Sequence, residues 1–255
     1  MKKTIYYKDP LNDDFAIKQF SGYETPKKYK YKMNFFQKII SNFLYYFIAI
    51  PFAFISSKLV HGLKIYGKKN LKGLKSGFFM YSNHTTSLDP FYPPLIIWPK
   101  KSYVVANPSI SNFKGIKGLI RSIGGISLPT SIKGMKDFLA LQKQIMKKGD
   151  AILIYPEAHI WQYYNSIRPF KENSFKYPAK LNVPIVVLTT IFRHPKKEGK
   201  RPKISIYVSK PFYPDLNLEI NERTLDLRNK AYNEMLNNTI KYKSYEYIKY
   251  VQIKD

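Results

Sequence analysis

The chain has 255 residues, of which 44% are hydrophobic, so we expect one main domain with terminal additions rather than a disordered protein. It has no cysteine, which excludes a disulfide framework, a thiol nucleophile and thiolate metal sites. Lys and Arg number 43 against 17 Asp and Glu, a formal net charge of +26. Such a surface attracts polyanions: nucleic acid, anionic lipid headgroups or an acidic carrier protein. Only six of the cations are arginine, the residue that recognises bases best, so we expect diffuse attraction.

The first 61 residues divide into two segments of opposite character. Residues 1–32 are polar and basic, and we expect an extension without a cleaved signal peptide. Residues 33–61 form an apolar helical segment, in which the nineteen residues between Lys38 and Lys58 carry no formal charge. A membrane span needs about twenty apolar residues, and Pro51 interrupts this run. Three structures compete: a shallow or re-entrant membrane helix pair, a true span and a buried core helix. The flanking lysines favour association with an anionic membrane surface.

Strands and helices alternate between residues 62 and 215. The predicted strands are 63–67, 77–82, 102–106, 126–128, 151–155, 183–192 and 203–208. Helices are predicted from Asp89-Pro90, over 115–123 and through Lys148. This alternation is typical of an α/β fold with a mixed, mainly parallel sheet flanked by helices. Residues 216–255 are predicted to be a basic C-terminal helical segment.

The stretch YSNHTTSLDP over 81–90 places a histidine and a carboxylate five residues apart. On a regular helix such residues are rotated by about 140°, so His84 and Asp89 can meet only in a turn. The Asn, Thr and Ser residues between strand and helix favour a turn, and Pro90 directs Asp89 away from helical conformation. Asp89 could then accept from one imidazole nitrogen while the other takes a proton from an alcohol. A helix-capping aspartate beside a histidine without a catalytic role is the alternative.

A second polar group follows the predicted strand 151–155. Glu157 stands just past this buried strand, where a carboxylate has no packing role. Further along, Arg168 and Lys171 come close to a helix start, where cations and free N–H groups would suit a phosphate. Two more exposed cations in a very basic protein are the alternative. Reactive groups of parallel sheets lie beyond the carboxyl ends of strands, and both polar segments follow strands in this way.

The turn with His84 resembles the first motif of the glycerolipid acyltransferase family, the bacterial 1-acylglycerol-3-phosphate acyltransferases. In that motif an Asn-His pair is followed after four residues by Asp. Asn83, His84 and Asp89 match it, and Thr86 stands where serine is common.

Three further blocks follow in the same order as in this family. YPEAH, which contains Pro156, stands where the family has Phe-Pro-Glu-Gly. RPFKENSFKYPAKLNVPIV resembles the next segment, and VPIVVL matches the final block. The resemblance runs from 63 to about 190, half of the chain, and four ordered motifs make it specific.

The resemblance implies roles for the residues that match. His84 would be the base, Asp89 its orienting partner and Glu157 part of the acceptor pocket. It also implies acyl-CoA or acyl-carrier protein as co-substrate, with no metal and no other cofactor. An acidic carrier protein would suit the basic surface.

Two departures from the family pattern concern the acceptor. Thr130 stands where the second motif usually ends in an arginine that contacts the acceptor phosphate, and Ala158-His159-Ile160 replaces a Gly-Thr-Arg. We therefore expect the phosphate contacts to come from elsewhere, from Lys133, Arg168 or Lys171, or the acceptor to be a different one.

Three functions follow as hypotheses. The first is acyl transfer to the free hydroxyl of lysophosphatidic acid, which forms phosphatidic acid in phospholipid biosynthesis, by an enzyme that is peripheral to, or shallowly inserted in, the cytoplasmic face of the cell membrane. The second is acyl transfer to another lyso-lipid or alcohol. The third is a non-enzymatic basic protein that binds nucleic acid through interleaved Lys and Tyr, as in KKYKYK over 27–32. This last hypothesis explains the charge but neither Glu157 nor the histidine turn.

Overall fold

The computed structural model describes residues 3–15, 24–26, 29–111, 117–195, 197 and 199–253. In these ranges the strands are β1 (Thr4–Tyr7), β2 (Lys64–Tyr66), β3 (Phe78–Ser82), β4 (Ser102–Ala106), β5 (Gly125–Ser127), β6 (Ala151–Ile154), β7 (Ile185–Arg193), β8 (Lys203–Val208) and β9 (Lys249–Gln252). The α-helices are α1 (Phe35–Phe43), α2 (Ile50–His61), α3 (Tyr92–Ile97), α4 (Lys117–Ser122), α5 (Ile132–Lys147), α6 (Lys176–Leu181) and α7 (Ile220–Lys241). The first two residues of the helix predicted over 115–123 lie outside the described residues.

A seven-stranded sheet forms the centre of the fold, with the strand order β2-β8-β7-β3-β6-β4-β5. Neighbouring strands are parallel except β7 and β8, which are antiparallel. The predicted mixed, mainly parallel sheet flanked by helices is therefore confirmed. Because β3 and β6 are adjacent and parallel, the two polar segments that follow them emerge at the same edge of the sheet.

Both faces of the sheet are covered, as its apolar strands require. On β3, Phe79 and Tyr81 point to the face that packs against α5, α6 and α7, and Phe78 and Met80 point to the face that packs against α3. All five residues of β3 are buried. The catalytic turn predicted after this strand therefore starts from an enclosed part of the domain.

The apolar segment forms one continuous helix from Phe35 to His61. Its middle, Leu44–Ala49, is a widened π-helical stretch just before Pro51, the adjustment that a proline without an N–H demands. The expectation of a helix pair is therefore wrong. Among the described residues one helix, Phe35–Leu59, is long and apolar enough to cross a membrane by length and composition. Only 17% of its most apolar 18-residue stretch is buried. This exposure contradicts the buried core helix.

The polarity of this helix is the reverse of that of a surface helix in a soluble protein. The buried side is small or polar: Ser41, Tyr45, Ala53, Ser57 and His61 face the domain at helical spacing. The outer side is exposed and apolar, with Phe35, Phe36, Ile39, Ile40, Phe43, Phe47, Ile48, Phe52, Phe54, Ile55 and Leu59. An apolar face of this extent is typical of a surface that contacts lipid or protein.

Specific polar contacts attach the inner side of this helix to the domain. The Tyr45 hydroxyl accepts from the backbone N–H of Ser102 at 2.7 Å. The buried ammonium of Lys101 donates to Ser41 Oγ at 2.7 Å, and burial lowers its pKa to about 8. Near the other end, Tyr92 Oη lies 2.5 Å from His61 Nδ1. The helix is therefore held at both ends of its buried stripe.

The two terminal segments pair with each other. β1 and β9 form a parallel two-stranded sheet, and Trp161 packs against both through Tyr7 and Tyr250. Neither strand is predicted from the sequence, because residues 1–32 show no clear periodicity and residues 216–255 are predicted to be helical. Helix α7 packs on the central sheet, so the segment 216–255 contributes to the same core. The division at 32, 61 and 215 stays a prediction.

Candidate active site

The turn after β3 is organised around the carboxylate of Asp89. Its Oδ2 accepts from the backbone N–H of Thr85 at 2.6 Å and of Thr86 at 2.9 Å, and lies 3.1 Å from Nδ1 of His84. Its Oδ1 accepts from the Thr86 hydroxyl at 2.6 Å. Asp89 itself begins a short 3₁₀ helix, Asp89–Phe91. The segment is thus the turn that the five-residue spacing requires.

The His84 ring has one nitrogen engaged and one facing away from that partner. Nδ1 is within hydrogen-bond distance of Asp89 Oδ2, and the ring stacks on Tyr155 with centroids 4.0 Å apart and an interplanar angle of 14°. The His84 side chain keeps 14% of its surface exposed, against 2% for Asp89. A buried carboxylate that holds Nδ1–H favours the tautomer whose Nε2 can accept a proton. The geometry can therefore serve general-base chemistry at Nε2.

Asn83 fixes this turn to the neighbouring strand. Its Nδ2 donates to the carbonyl oxygen of Thr190 at 3.1 Å, and its Oδ1 accepts from the N–H of Thr190 at 2.8 Å. Both contacts are buried, so they are worth more than an exposed pair. The side chain predicted to support the motif therefore ties the turn to β7.

Glu157 lies beside the turn and connects it to the loop after β6. Its Oε2 accepts from the backbone N–H of His84 at 3.1 Å, and its Oε1 accepts from the N–H of Arg168 at 2.9 Å. Burial raises the pKa of this carboxyl, and the Arg168 charge opposes that shift. The statement that a carboxylate here has no packing role is therefore wrong. Pro156 stands between Tyr155, which stacks on His84, and Glu157.

Arg168 is enclosed by its own chain. Its guanidinium donates to the carbonyl oxygens of Glu157 at 3.1 Å, of His159 and of Pro10 at 3.4 Å. It also lies 4.7 Å from the ring centroid of Trp161. Burial lowers its pKa. These contacts leave little of the guanidinium for a ligand, and a phosphate contact by Arg168 stays a prediction.

The other predicted phosphate-binding residues lie at two different places. Lys171 is exposed at the surface near Asp9. Thr130 and Lys133 line a cleft of about 1040 Å³ between residues 25, 26 and 29–34 and the start of α5. The hydroxyl of Thr130 accepts from the N–H of Thr25 at 3.1 Å. Among the described residues no hydrogen bond joins any of these side chains to His84, and their contacts with a phosphate stay predictions.

Two features of the site were not predicted from the sequence: the burial of Tyr155 and the contact between His159 and Asp14. The Tyr155 hydroxyl is buried with no hydrogen-bond partner in the described part of the chain, and burial raises its pKa well above the usual range. His159 Nδ1 lies 3.2 Å from Asp14 Oδ2, although residues 1–32 were expected to be an extension. The position of Tyr155 before Pro156-Glu157 was a usable signal, whereas no local pattern connects Asp14 with His159.

Comparison with known proteins places the chain in a family. Residues 62–190, half of the chain, match the family model described as Acyltransferase. The chain belongs to the acyltransferase family. In the described residues, no three His, Asp or Glu side chains cluster closely enough to hold a metal ion.

The fold of this acyltransferase is similar to a solved structure, the crystal structure of the 1-acyl-sn-glycerophosphate (LPA) acyltransferase PlsC from Thermotoga maritima. The TM-score is 0.56 over 77% of this chain and 79% of that chain. The sequence identity is 16%, so the likeness concerns the fold alone. A search of curated proteins gives no significant match.

Proposed function

We propose that this acyltransferase moves a fatty acyl group from acyl-CoA or acyl-carrier protein to the free hydroxyl of lysophosphatidic acid and so forms phosphatidic acid. The observation that carries the proposal is the His84–Asp89 contact of 3.1 Å in a turn at the sheet edge, with the histidine ring partly exposed. The family supplies acyl transfer as the reaction class. The similarly folded Thermotoga maritima enzyme is a 1-acyl-sn-glycerophosphate (LPA) acyltransferase, which supports this acceptor.

The reaction follows from the roles of this pair. His84 Nε2 takes the proton of the acceptor hydroxyl while the oxygen attacks the thioester carbonyl carbon. The C–O bond forms, the carbonyl electrons move to oxygen, and Asp89 stabilises the imidazolium through Nδ1. The oxyanion then re-forms the carbonyl, the C–S bond breaks, and the thiolate takes the proton from Nε2. The ester and the free thiol are the products, and no enzyme-bound acyl group is needed.

A cationic cleft supports a phosphate-bearing substrate. The cleft of about 1040 Å³ next to Thr130 includes Lys30, Lys32 and Lys133 among its lining residues, against one carboxylate, Asp137. It lies at the carboxyl end of β5, the edge of the sheet from which the His84 turn also emerges. We assign the predicted phosphate contacts to Lys133 and its cationic neighbours in this cleft.

The N-terminal helix supports a membrane location. Its apolar outer side and the net charge of +26 together suit an anionic bilayer surface. Phe52 on this helix packs against Phe91, two residues after Asp89, with ring centroids 5.5 Å apart. A lipid-facing helix would thus hold the catalytic turn close to the cytoplasmic face of the membrane.

A second candidate acceptor is favoured by one observation. Asp14 places a carboxylate on His159, in the segment that replaces the family's Gly-Thr-Arg, and this negative charge disfavours a phosphate there. The same fold and the same catalytic pair would then act on a lyso-lipid or alcohol with a neutral or cationic headgroup.

One experiment tests both candidates. The purified full chain is incubated with a labelled acyl thioester and a panel of lyso-acceptors in vesicles, and the products are identified by mass spectrometry. Lysophosphatidic acid should give the fastest transfer, and a faster neutral or cationic acceptor would favour the second candidate.

A histidine variant tests the mechanism in the same assay. His84→Ala should lower the rate by about 10²–10⁴-fold, because it removes the general base. The control is His194→Ala, because His194 is exposed and its aromatic contact in the described part of the chain is with Tyr245. Unchanged transfer by folded His84→Ala would contradict the mechanism for either acceptor.

A further inference from the structure

A cleft of about 810 Å³ opens between α2, β2 and α3, on the face of the sheet opposite α5 and α7. This volume is within the range of roughly 300–1,000 Å³ that is typical of small-molecule sites. One wall is apolar and is formed by Ile50, Pro51, Phe54, Leu95 and Trp98. None of these residues belongs to the catalytic turn or to the loop with Glu157.

Three lysines surround this apolar wall. Lys58, Lys64 and Lys68 line the cleft, and among the described residues no Asp or Glu lines it. None of the three takes part in the ion pairs found in the described part of the chain. Lys68 Nζ donates to the carbonyl oxygen of Leu95 at 3.2 Å, which places one ammonium against the apolar wall. An ammonium has three N–H groups, so this one still has donors for an anion.

The cleft is continuous with the exposed apolar side of the N-terminal helix. Phe54 is 55% exposed and belongs to both surfaces, and Trp98 at the cleft is 59% exposed. Tryptophan is enriched where a protein crosses the headgroup region of a membrane. An apolar groove with a cationic rim at this level matches a molecule with one anionic head and an apolar chain.

We propose that this cleft binds one anionic phospholipid of the membrane. Its phosphate contacts Lys58, Lys64 and Lys68, and one acyl chain lies on Phe54, Leu95 and Trp98. The proposal rests on the membrane location proposed above. It adds a specific lipid-binding site to the diffuse attraction between the basic surface and anionic lipids. The bound lipid is not the substrate, since the cleft shares no residue with the His84 turn.

The position of the two tryptophans provides the test. Trp161 is fully buried, so quenching of tryptophan emission by lipid reports on Trp98. The full chain is added to vesicles of phosphatidylcholine and phosphatidylglycerol in fixed ratio, with bromine on the chains of either lipid at equal mole fraction. Brominated phosphatidylglycerol should quench at least about fivefold more effectively, because each of the three lysines contributes about 1 kcal/mol near an anionic headgroup. Trp98→Phe should remove the quenching.

A matched pair of triple variants separates the site from net charge. Lys58→Gln/Lys64→Gln/Lys68→Gln should make the two brominated lipids equivalent. Lys136→Gln/Lys143→Gln/Lys147→Gln removes the same charge from the exposed side of α5, on the opposite face of the sheet, and should keep the preference.

Three results would overturn the proposal. Equal quenching by both lipids in the unchanged chain would show membrane contact without a lipid site. Loss of the preference in the α5 variant would show that net charge alone produces it. A change in Trp98 emission with acidic carrier protein in the absence of vesicles would assign the cleft to that protein. Absence of quenching by either lipid would contradict the membrane location itself, which distinguishes the two failures.

Discussion

The His84–Asp89 and Arg168–Glu157 pairs lie side by side beyond the neighbouring strands β3 and β6. In the first pair the carboxylate is enclosed but the histidine keeps 14% of its side-chain surface exposed. In the second pair both side chains are enclosed, at 0% and 2% exposure. The backbone N–H of His84 donates to Glu157, so the closed pair supports the open one. Both pairs of charged side chains beyond buried strands belong to the candidate site. The solvent exposure of the side chains distinguishes the pair that can react with a substrate from the pair that positions it.

The largest effect should come from replacing the carboxylate of the open pair. Asp89→Asn would present an amide N–H to Nδ1 of His84 and so favour the tautomer with its proton on Nε2, which cannot accept another. We expect kcat to fall by about 10²–10⁴-fold with a smaller change in KM. The variant also loses hydrogen bonds at the Thr85 and Thr86 N–H groups, so its unfolding free energy should fall by about 1–3 kcal/mol.

Asp226→Asn is the control for this substitution. Asp226 contacts Lys230 at 2.6 Å in a partly exposed pair on α7, which is worth under about 1 kcal/mol. Its kinetics should match those of the unchanged chain. If folded Asp89→Asn kept its kcat, the open pair would not be the reacting one.

A larger loss of stability is expected from the closed pair. Arg168→Met leaves the buried Glu157 carboxylate without its counter-charge, and such a loss costs about 3–5 kcal/mol. The double variant Glu157→Gln/Arg168→Met should recover part of this, because no buried charge is left. Urea unfolding measures both. A loss of kcat in Arg168→Met at unchanged stability would instead give Arg168 a role at the substrate.

The sequence could predict the open pair but not the closed one, and the reason is physical. The contact between His84 and Asp89 is local, and five residues with turn propensity are enough to predict it. The partners of Arg168 include the carbonyl oxygen of Pro10, over 150 positions away, and the contact of His159 is with Asp14. Such contacts depend on the pairing of β1 with β9, for which no local pattern exists. The same limit explains why the sequence predicts a phosphate contact for Arg168 but not the carbonyl oxygens that enclose its guanidinium.

The continuous N-terminal helix shows a second limit of the sequence. The uncharged run predicted an apolar helix correctly, but composition does not reveal which side faces the domain. The buried side is the polar one, from Ser41 to His61, and its contacts with Lys101, Ser102 and Tyr92 explain it. Alternation of strands and helices, in contrast, depends on periodicity alone, which is why the sheet could be predicted.

The pH dependence of stability should distinguish the closed pair from an ordinary surface ion pair. Glu157 in the unfolded chain loses its proton near its ordinary pKa of 4.5, and burial raises the pKa in the folded chain. Between these two values the folded chain binds more protons, so the unfolding free energy falls as the pH rises. Urea unfolding measures the unfolding free energies of the unchanged chain and of Glu157→Gln. The value for the unchanged chain minus that for the variant should decrease as the pH rises through this window. An increase would mean that attraction by Arg168 outweighs burial.

The smallest effect concerns the turn that directs Glu157 inward. Ala158 has a φ of 64°, in the left-handed region, and its N–H donates to the carbonyl oxygen of Tyr155 at 3.1 Å. In the left-handed region an alanine is about 1 kcal/mol less favourable than a glycine. Glycine also has more conformational freedom in the unfolded chain, which offsets about half of this gain in folded-state stability. Ala158→Gly should therefore raise the unfolding free energy by about 0.5 kcal/mol. Ala140→Gly, on the exposed side of α5, should lower it by about 1 kcal/mol. If both substitutions destabilised the chain equally, the left-handed conformation of Ala158 would cost no more than an ordinary helical conformation, and the turn would carry no strain.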